Sequence, residues 1–131
     1  MQALIYEVDA AFREHLAQRL AERGFRVFQA SDGEEAVRLA MTQSVWAVIL
    51  GLGGLRSKAL SFMDRLREEC PRCRVIIINR SGDLSLSIEA MKLGAFDEIA
   101  APVDVEMLEK KIRALRDAEA RSGDAGPDRT G

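Results

Sequence analysis

The sequence predicts a three-layer α/β domain built on a doubly wound, five-stranded parallel sheet. Three observations carry this. Short apolar runs alternate with amphipathic stretches five times, at intervals of roughly twenty-odd residues, a rhythm that implies right-handed β-α-β crossovers. The runs are continuously apolar instead of alternating, as expected of strands covered on both faces. The 131 residues, 47% hydrophobic and 31% charged, suit one compact domain with a sizeable core.

The elements follow in order. Residues 3–6 are short and apolar and form the first strand. Phe12, Leu16 and Leu20 recur at helical spacing, and Gly24 stops that helix. Residues 25–30 form a second strand. Ser31 and Asp32 cap a helix whose Ala36, Val37, Ala40 and Met41 share a face. Residues 45–50 make the third strand, ended by Gly51-Leu52-Gly53-Gly54, and the next helix turns Leu60, Met63 and Leu66 inward before Pro71. Residues 75–78 are β-branched throughout and form the fourth strand. Leu84, Ile88 and Met91 define the inward face of the fourth helix, with Gly94 at its end. Residues 96–100 are a weaker fifth strand. Pro102 and Asp104 introduce a last helix with Leu108, Ile112 and Leu115 aligned. The domain is expected over 1–117, with 118–131 a flexible tail or linker stub, because nothing there can bury a face.

Composition narrows the function. A net charge of −2 gives no basic footprint for nucleic acid. No apolar run approaches the roughly 20 residues that cross a bilayer. The chain starts its first strand almost at once, without a charged leader, so a soluble cytoplasmic domain is expected. Two cysteines, Cys70 and Cys73, follow a helical pattern and precede a strand, the reverse of a redox motif's setting. With His15 the single histidine, zinc lacks ligands. Redox and metal chemistry are therefore set aside, and no enzymatic activity is expected.

In an open parallel sheet the site lies beyond the carboxyl ends of the strands. That places it at residues 7–9, 51–54, 79–83 and 100–102. The glycine loop has no phosphate-binding spacing: a dinucleotide fingerprint from Gly51 needs glycine where Arg56 stands, and Ser57-Lys58 reverses the P-loop order. Glu7 and Asp9 could bind Mg²⁺, but Gly51 offers only a carbonyl, so these acids read as solvated loop carboxylates.

Three stretches go further: Ser31-Asp32-Gly33-Glu34-Glu35-Ala36, Ser81-Gly82-Asp83, and Glu89-Ala90-Met91-Lys92-Leu93-Gly94-Ala95-Phe96-Asp97 running on to Pro102. With them the chain resembles, from Ala3 to about Arg116, the receiver domain of two-component response regulators. The resemblance implies the flavodoxin-like, CheY-like sheet order 2-1-3-4-5. It also implies a phosphoryl switch, and here the sequence departs. The family's adjacent acids after strand one correspond to Glu7 and Val8, and its phosphoacceptor aspartate to Gly51. Its hydroxyl residue after strand four corresponds to Asn79, its lysine before proline to Ala101, and its aromatic switch position to Glu98. Glycine cannot form an acyl phosphate. Without paired acids or an ammonium group, nothing neutralises a transferring phosphoryl group. Mg²⁺ binding is expected to be weak or absent.

The resemblance leaves protein binding as the role: a pseudo-receiver engaging a partner protein, or itself, through the fourth helix, fifth strand and fifth helix. That face would present Glu89, Lys92, Asp97, Glu98, Lys110, Lys111 and Arg113. Trp46 is either a contact anchor or a cover for the bottom of the core, and His15 a plain surface residue. Two other readings stay open: phosphorylation at an unusual residue such as Ser81 or Asp83, and a small-ligand or catalytic flavodoxin-like domain using the Gly51–Gly54 loop.

Overall fold

The computed structural model describes residues 1–130, with side chains through Ala118. Strands and helices alternate throughout: β1 (Gln2–Tyr6), α1 (Ala10–Glu22), β2 (Arg26–Ala30), α2 (Gly33–Thr42), β3 (Ala47–Gly51), α3 (Ser57–Glu69), β4 (Arg74–Ile78), α4 (Leu84–Lys92), β5 (Asp97–Ile99) and α5 (Val105–Thr130). All strand pairs are parallel. The order is β2-β1-β3-β4-β5, as the resemblance implies.

Successive strand side chains point to opposite faces, so each apolar run feeds two cores. Leu4, Tyr6, Val48, Leu50, Val75 and Ile77 pack with α2, α3 and α4. Ala3, Ile5, Ala47, Ile49, Ile76 and Ile78 pack with α1 and α5. Trp46 sits half-buried against that second core, so it covers the base of the sheet.

Aspartates start most helices. Asp9 accepts from Phe12 N at 3.1 Å, Asp32 from Glu35 N at 2.9 Å, Asp83 from Leu86 N at 3.2 Å and Asp104 from Met107 N at 3.2 Å. Each bond satisfies an orphan helix N–H and is worth about 1 kcal/mol.

The structure corrects several expectations. Strand β5 is only Asp97–Ile99, because this edge strand pairs with β4 at three positions. Met41 is half exposed: the inward stripe of α2 is Ala36, Val37 and Ala40, and Met41 lies about 100° further round. The largest correction is α4. Its buried residues are Leu86, Ser87 and Ala90, whereas Leu84, Ile88 and Met91 are 72%, 45% and 43% exposed. The short side chains of Ser87 and Ala90 fit the helix closely against the domain and turn the larger apolar residues outward. The expected tail, 118–131, lies outside the described side chains except for Ala118.

Candidate functional site

Strand register brings the nominated positions together. Tyr6 pairs with Leu50, Gly51 with Ile78 and Ile78 with Ile99, so Glu7, Gly51, Asn79 and Ala100 all emerge at the carboxyl end of the sheet. The Ala101–Pro102 peptide, which is cis, closes the row, and Ala101 is exposed.

Glu7 is not solvated as the sequence suggested. It is 4% exposed, the one buried acid among the described residues. Its Oε2 accepts from Asp9 N at 2.9 Å, and its backbone carbonyl accepts from Arg13 Nη1 at 2.8 Å. The carboxylate extends from the end of β1 to the end of β3. A Cβ placed on Gly51 would overlap Glu7 Oε1 and stand 2.8 Å from Cδ. The same relation holds one loop further on, where a Cβ on Gly54 would run into Val8 Cγ2. Two side chains after β1 thus fill the space above the glycine that ends β3 and a glycine in the loop beyond it. No single position carries this signal. It is legible only by pairing strand ends, which sets a long acid beside a residue with no side chain.

Asp9 behaves differently. It is exposed and caps α1, and its carboxyl is held below the usual range by the Phe12 N–H first and by Arg80 second. Arg80, a residue the sequence reading did not single out, donates to Asp9 Oδ2 at 3.3 Å and lies 4.0 Å over the Phe12 ring. A shallow cleft remains between Glu7, Val8, Asp9, Gly53, Gly54, Arg80 and Ser81.

These residues do not fit a Mg²⁺ ion. Glu7 is turned into the Gly51 space, Asp9 is engaged by a helix start and a guanidinium, and Gly51 offers only a carbonyl. Among the described residues no three His, Cys, Asp or Glu side chains are grouped to hold a cation. Millimolar Mg²⁺ is expected to move Tm by less than about 1 °C in differential scanning fluorimetry. A rise of several degrees would contradict this.

Asn79 anchors a polar relay. Its Nδ2 donates to Asp83 O and to Ser87 Oγ, both at 2.7 Å. Its Oδ1 accepts from Ser81 Oγ at 2.8 Å and Gly82 N at 3.1 Å. Ser87, buried on α4, passes its hydroxyl proton toward Glu98 Oε2 at 3.1 Å. The end of β4, the first turns of α4 and the middle of β5 are therefore joined by consecutive hydrogen bonds. Asp83 is also held acidic, by the Ser85 hydroxyl first and the Leu86 N–H second.

Six of the seven charges nominated for the interaction face, all but Glu98, stand in ion pairs within the chain. Glu89 meets Lys92 at 3.9 Å, Asp97 meets Lys111 at 2.7 Å, and Glu106 meets Lys110 at 3.7 Å. Arg113 and Arg23 share Glu109 at 2.9 and 2.7 Å. Apolar surface lies beside them instead. A groove on α4 is lined by Leu84, Ser87, Ile88, Met91, Lys92 and Glu98, and Phe96 and Met107 are exposed on the neighbouring segments.

The Asp97–Lys111 pair has a pH signature. Burial alone would raise the Asp97 carboxyl, but the Lys111 hydrogen bond, the Glu98 N–H and the lysine charge outweigh it and hold it below the usual value. An acid with a lowered folded-state pKa contributes stability that is full above its unfolded value and lost as pH falls through the folded one. The urea midpoint should thus drop between about pH 5 and about pH 2, and Lys111→Met should flatten that part of the curve. His15 is exposed on α1, away from this chemistry.

Comparison with known proteins is consistent across three levels. The model of the response regulator receiver domain matches residues 3–113. A cyclic di-GMP phosphodiesterase of Thermotoga maritima is 33% identical over 117 residues, covering 88% of this chain and 31% of that protein. The two-component response regulator PhoP of Pseudomonas aeruginosa is 33% identical over 117 residues, covering 88% and 51%. The chain thus spans about a third to a half of these relatives' length. Among solved structures, the fold matches NtrX of Brucella abortus in complex with ADP at a TM-score of 0.86 and 19% identity, covering 98% of this chain and 29% of that one. It also matches a CheY-like receiver domain protein of Methanospirillum hungatei at 0.82 and 20%, covering 92% and 97%.

Proposed function

The chain belongs to the response regulator receiver domain family, and from that premise we propose that it is a pseudo-receiver: a phosphorylation-independent, non-enzymatic interaction domain of a two-component pathway, working in the cytoplasm. The carrying observation is the Glu7 carboxylate filling the space beside Gly51. Phosphoryl transfer to a receiver needs a carboxylate nucleophile and positive charge around the transferring group. Gly51 supplies no nucleophile, Val8 supplies no acid, and Ala101 supplies no ammonium.

Regulation by phosphate would also need two arrangements of the α4–β5–α5 face. The Asn79–Ser87–Glu98 relay favours one. Partner recognition then falls to Leu84, Ile88 and Met91, because the charges around them are satisfied internally. Buried apolar anchors surrounded by polar groups are the usual source of interface energy. The partner is a protein, either an attached output module or a separate chain, and neither nucleic acid nor membrane is engaged by this domain. No helix among the described residues is long and apolar enough to cross a membrane.

Incubation with acetyl phosphate and Mg²⁺, followed by intact mass measurement, tests the reading. The expected mass is unchanged. An adduct mapping to Ser81 or Asp83 would support phosphorylation at an unusual site instead. Ser81 is already committed to Asn79, and Asp83 to Ser85 and Leu86. A small molecule copurifying at the Gly51–Gly54 loop would support the ligand-binding reading, which the crowding of Gly54 by Val8 disfavours.

A further inference from the structure

At the opposite end of the sheet, the turn between α3 and β4 holds two thiols with no part in the site above. Cys70 caps α3, and Cys73 N donates back to Cys70 O at 2.9 Å, which folds the intervening Pro71 and Arg72 outward. Both cysteines are free, and both are buried. Their sulfurs stand 2.6 Å apart, well inside the separation of two non-bonded sulfurs. Cys73 Sγ also lies 3.2 Å from Val45 O and Cys70 Sγ 3.8 Å from Ala40 O, so the turn's contacts hold both on the same side.

We propose that Cys70 and Cys73 are a reversible dithiol–disulfide modification site, oxidised by a low-molecular-weight disulfide such as glutathione disulfide. The inference is independent of the phosphorylation-independent reading. Cys73 opens onto a cleft that Arg67, Pro71, Arg74, Leu93 and Gly94 help to line. Arg67 bridges to Leu93 O at 3.3 Å, and Arg74 holds Pro71 O at 2.9 Å. Arg67 also pairs with Asp64 at 3.0 Å, and Arg72 is exposed on the turn.

The Cys73 thiolate attacks one sulfur of the reagent, forming a mixed disulfide and releasing one glutathione thiolate. Cys70 then attacks the Cys73 sulfur, the protein disulfide forms, and the second thiolate leaves. The protein loses two electrons and two protons; the reagent is reduced to two thiols that take up those protons. Burial first, and the neighbouring Cys70 second, push the Cys73 thiol well above its usual range, against a smaller opposing pull from Arg72 and Arg74. Oxidation therefore proceeds through opening of the turn, at least ten-fold slower than for an exposed dithiol, as thiolate fraction and access both set the rate.

The test uses the whole chain, reduced, then held with excess glutathione disulfide, acid-quenched, unfolded and alkylated with N-ethylmaleimide before intact mass measurement. The expected product is monomeric, two hydrogens lighter, and unlabelled. Cys70→Ser should stop at a mixed disulfide carrying one glutathione on Cys73. Two maleimides on the wild-type chain, after about a hundred times the period that fully oxidises dithiothreitol in the same buffer, would overturn the proposal. So would a covalent dimer, or a stable glutathione adduct on the wild-type chain.

Discussion

Gly51→Asp, which sets a carboxylate at the end of β3, is expected to destabilise the fold by about 3 kcal/mol and still yield no phosphoprotein. The new Cβ enters the volume of the Glu7 carboxylate, which is buried and tied to Asp9 N. A long side chain at a surface would swing aside. This one must instead break its hydrogen bond or meet a second carboxylate at contact distance. Two adjacent buried acids raise each other's pKa, and an acid with a raised folded-state pKa destabilises above the ordinary carboxylate range. The penalty should thus be full near neutral pH and shrink as pH falls through that range. Urea unfolding of the four members of a Glu7→Ala, Gly51→Asp cycle measures the coupling. The double variant should recover more than about 1 kcal/mol of the single variant's loss. Simple additivity would mean that Glu7 does not fill the site.

The second large effect is expected at Asn79. Asn79→Ala removes both donors and the acceptor that organise residues 81–87, leaving Asp83 O and the buried Ser87 hydroxyl without their amide partner. A loss of about 2 kcal/mol is expected from the four hydrogen bonds removed together, although Ser87 keeps its bond to Glu98 and Asp83 O keeps the Ser87 N–H. The distinguishing readout is local. Amide exchange should accelerate across α4 and β5 while β1 and β3 keep their protection. Glu98→Ala should cost less, under about 1 kcal/mol, because Glu98 is only half-buried and contributes one bond to the relay. Equal acceleration over the whole sheet would show that Asn79 supports global stability and not the placement of α4.

Much of this was legible in the residues. Apolar runs fixed the strands, and Asp32 and Asp104 announced helix starts, because an N-cap is a local device. Other features depend on what lies across a gap. Leu84, Ile88 and Met91 fit a helical stripe as well as Leu86, Ser87 and Ala90 do. The sequence favours the larger apolar set, while close packing selected the smaller residues. Glu7 looked like a solvated acid, since its burial depends on the absence of a side chain at Gly51 on another strand. On the charged face, Glu89–Lys92, Glu106–Lys110 and Glu109–Arg113 stand at helical i,i+3 and i,i+4 spacings, so their pairing is legible in the residues themselves. Arg80 was overlooked because its role requires Asp9 and Phe12 from a distant helix start.

As a pseudo-receiver, the chain is expected to hold its α4–β5–α5 face in one arrangement whatever phosphoryl donor is present. The most direct test is the amide NMR spectrum of the isotope-labelled chain with Mg²⁺, before and after adding acetyl phosphate and then beryllofluoride. One set of resonances, unshifted for Asn79, Ser87, Met91 and Glu98 in all conditions, is the expected result. A second set of peaks, or saturable shifts along α4 and β5, would mean that the site still receives a phosphoryl group and transmits it.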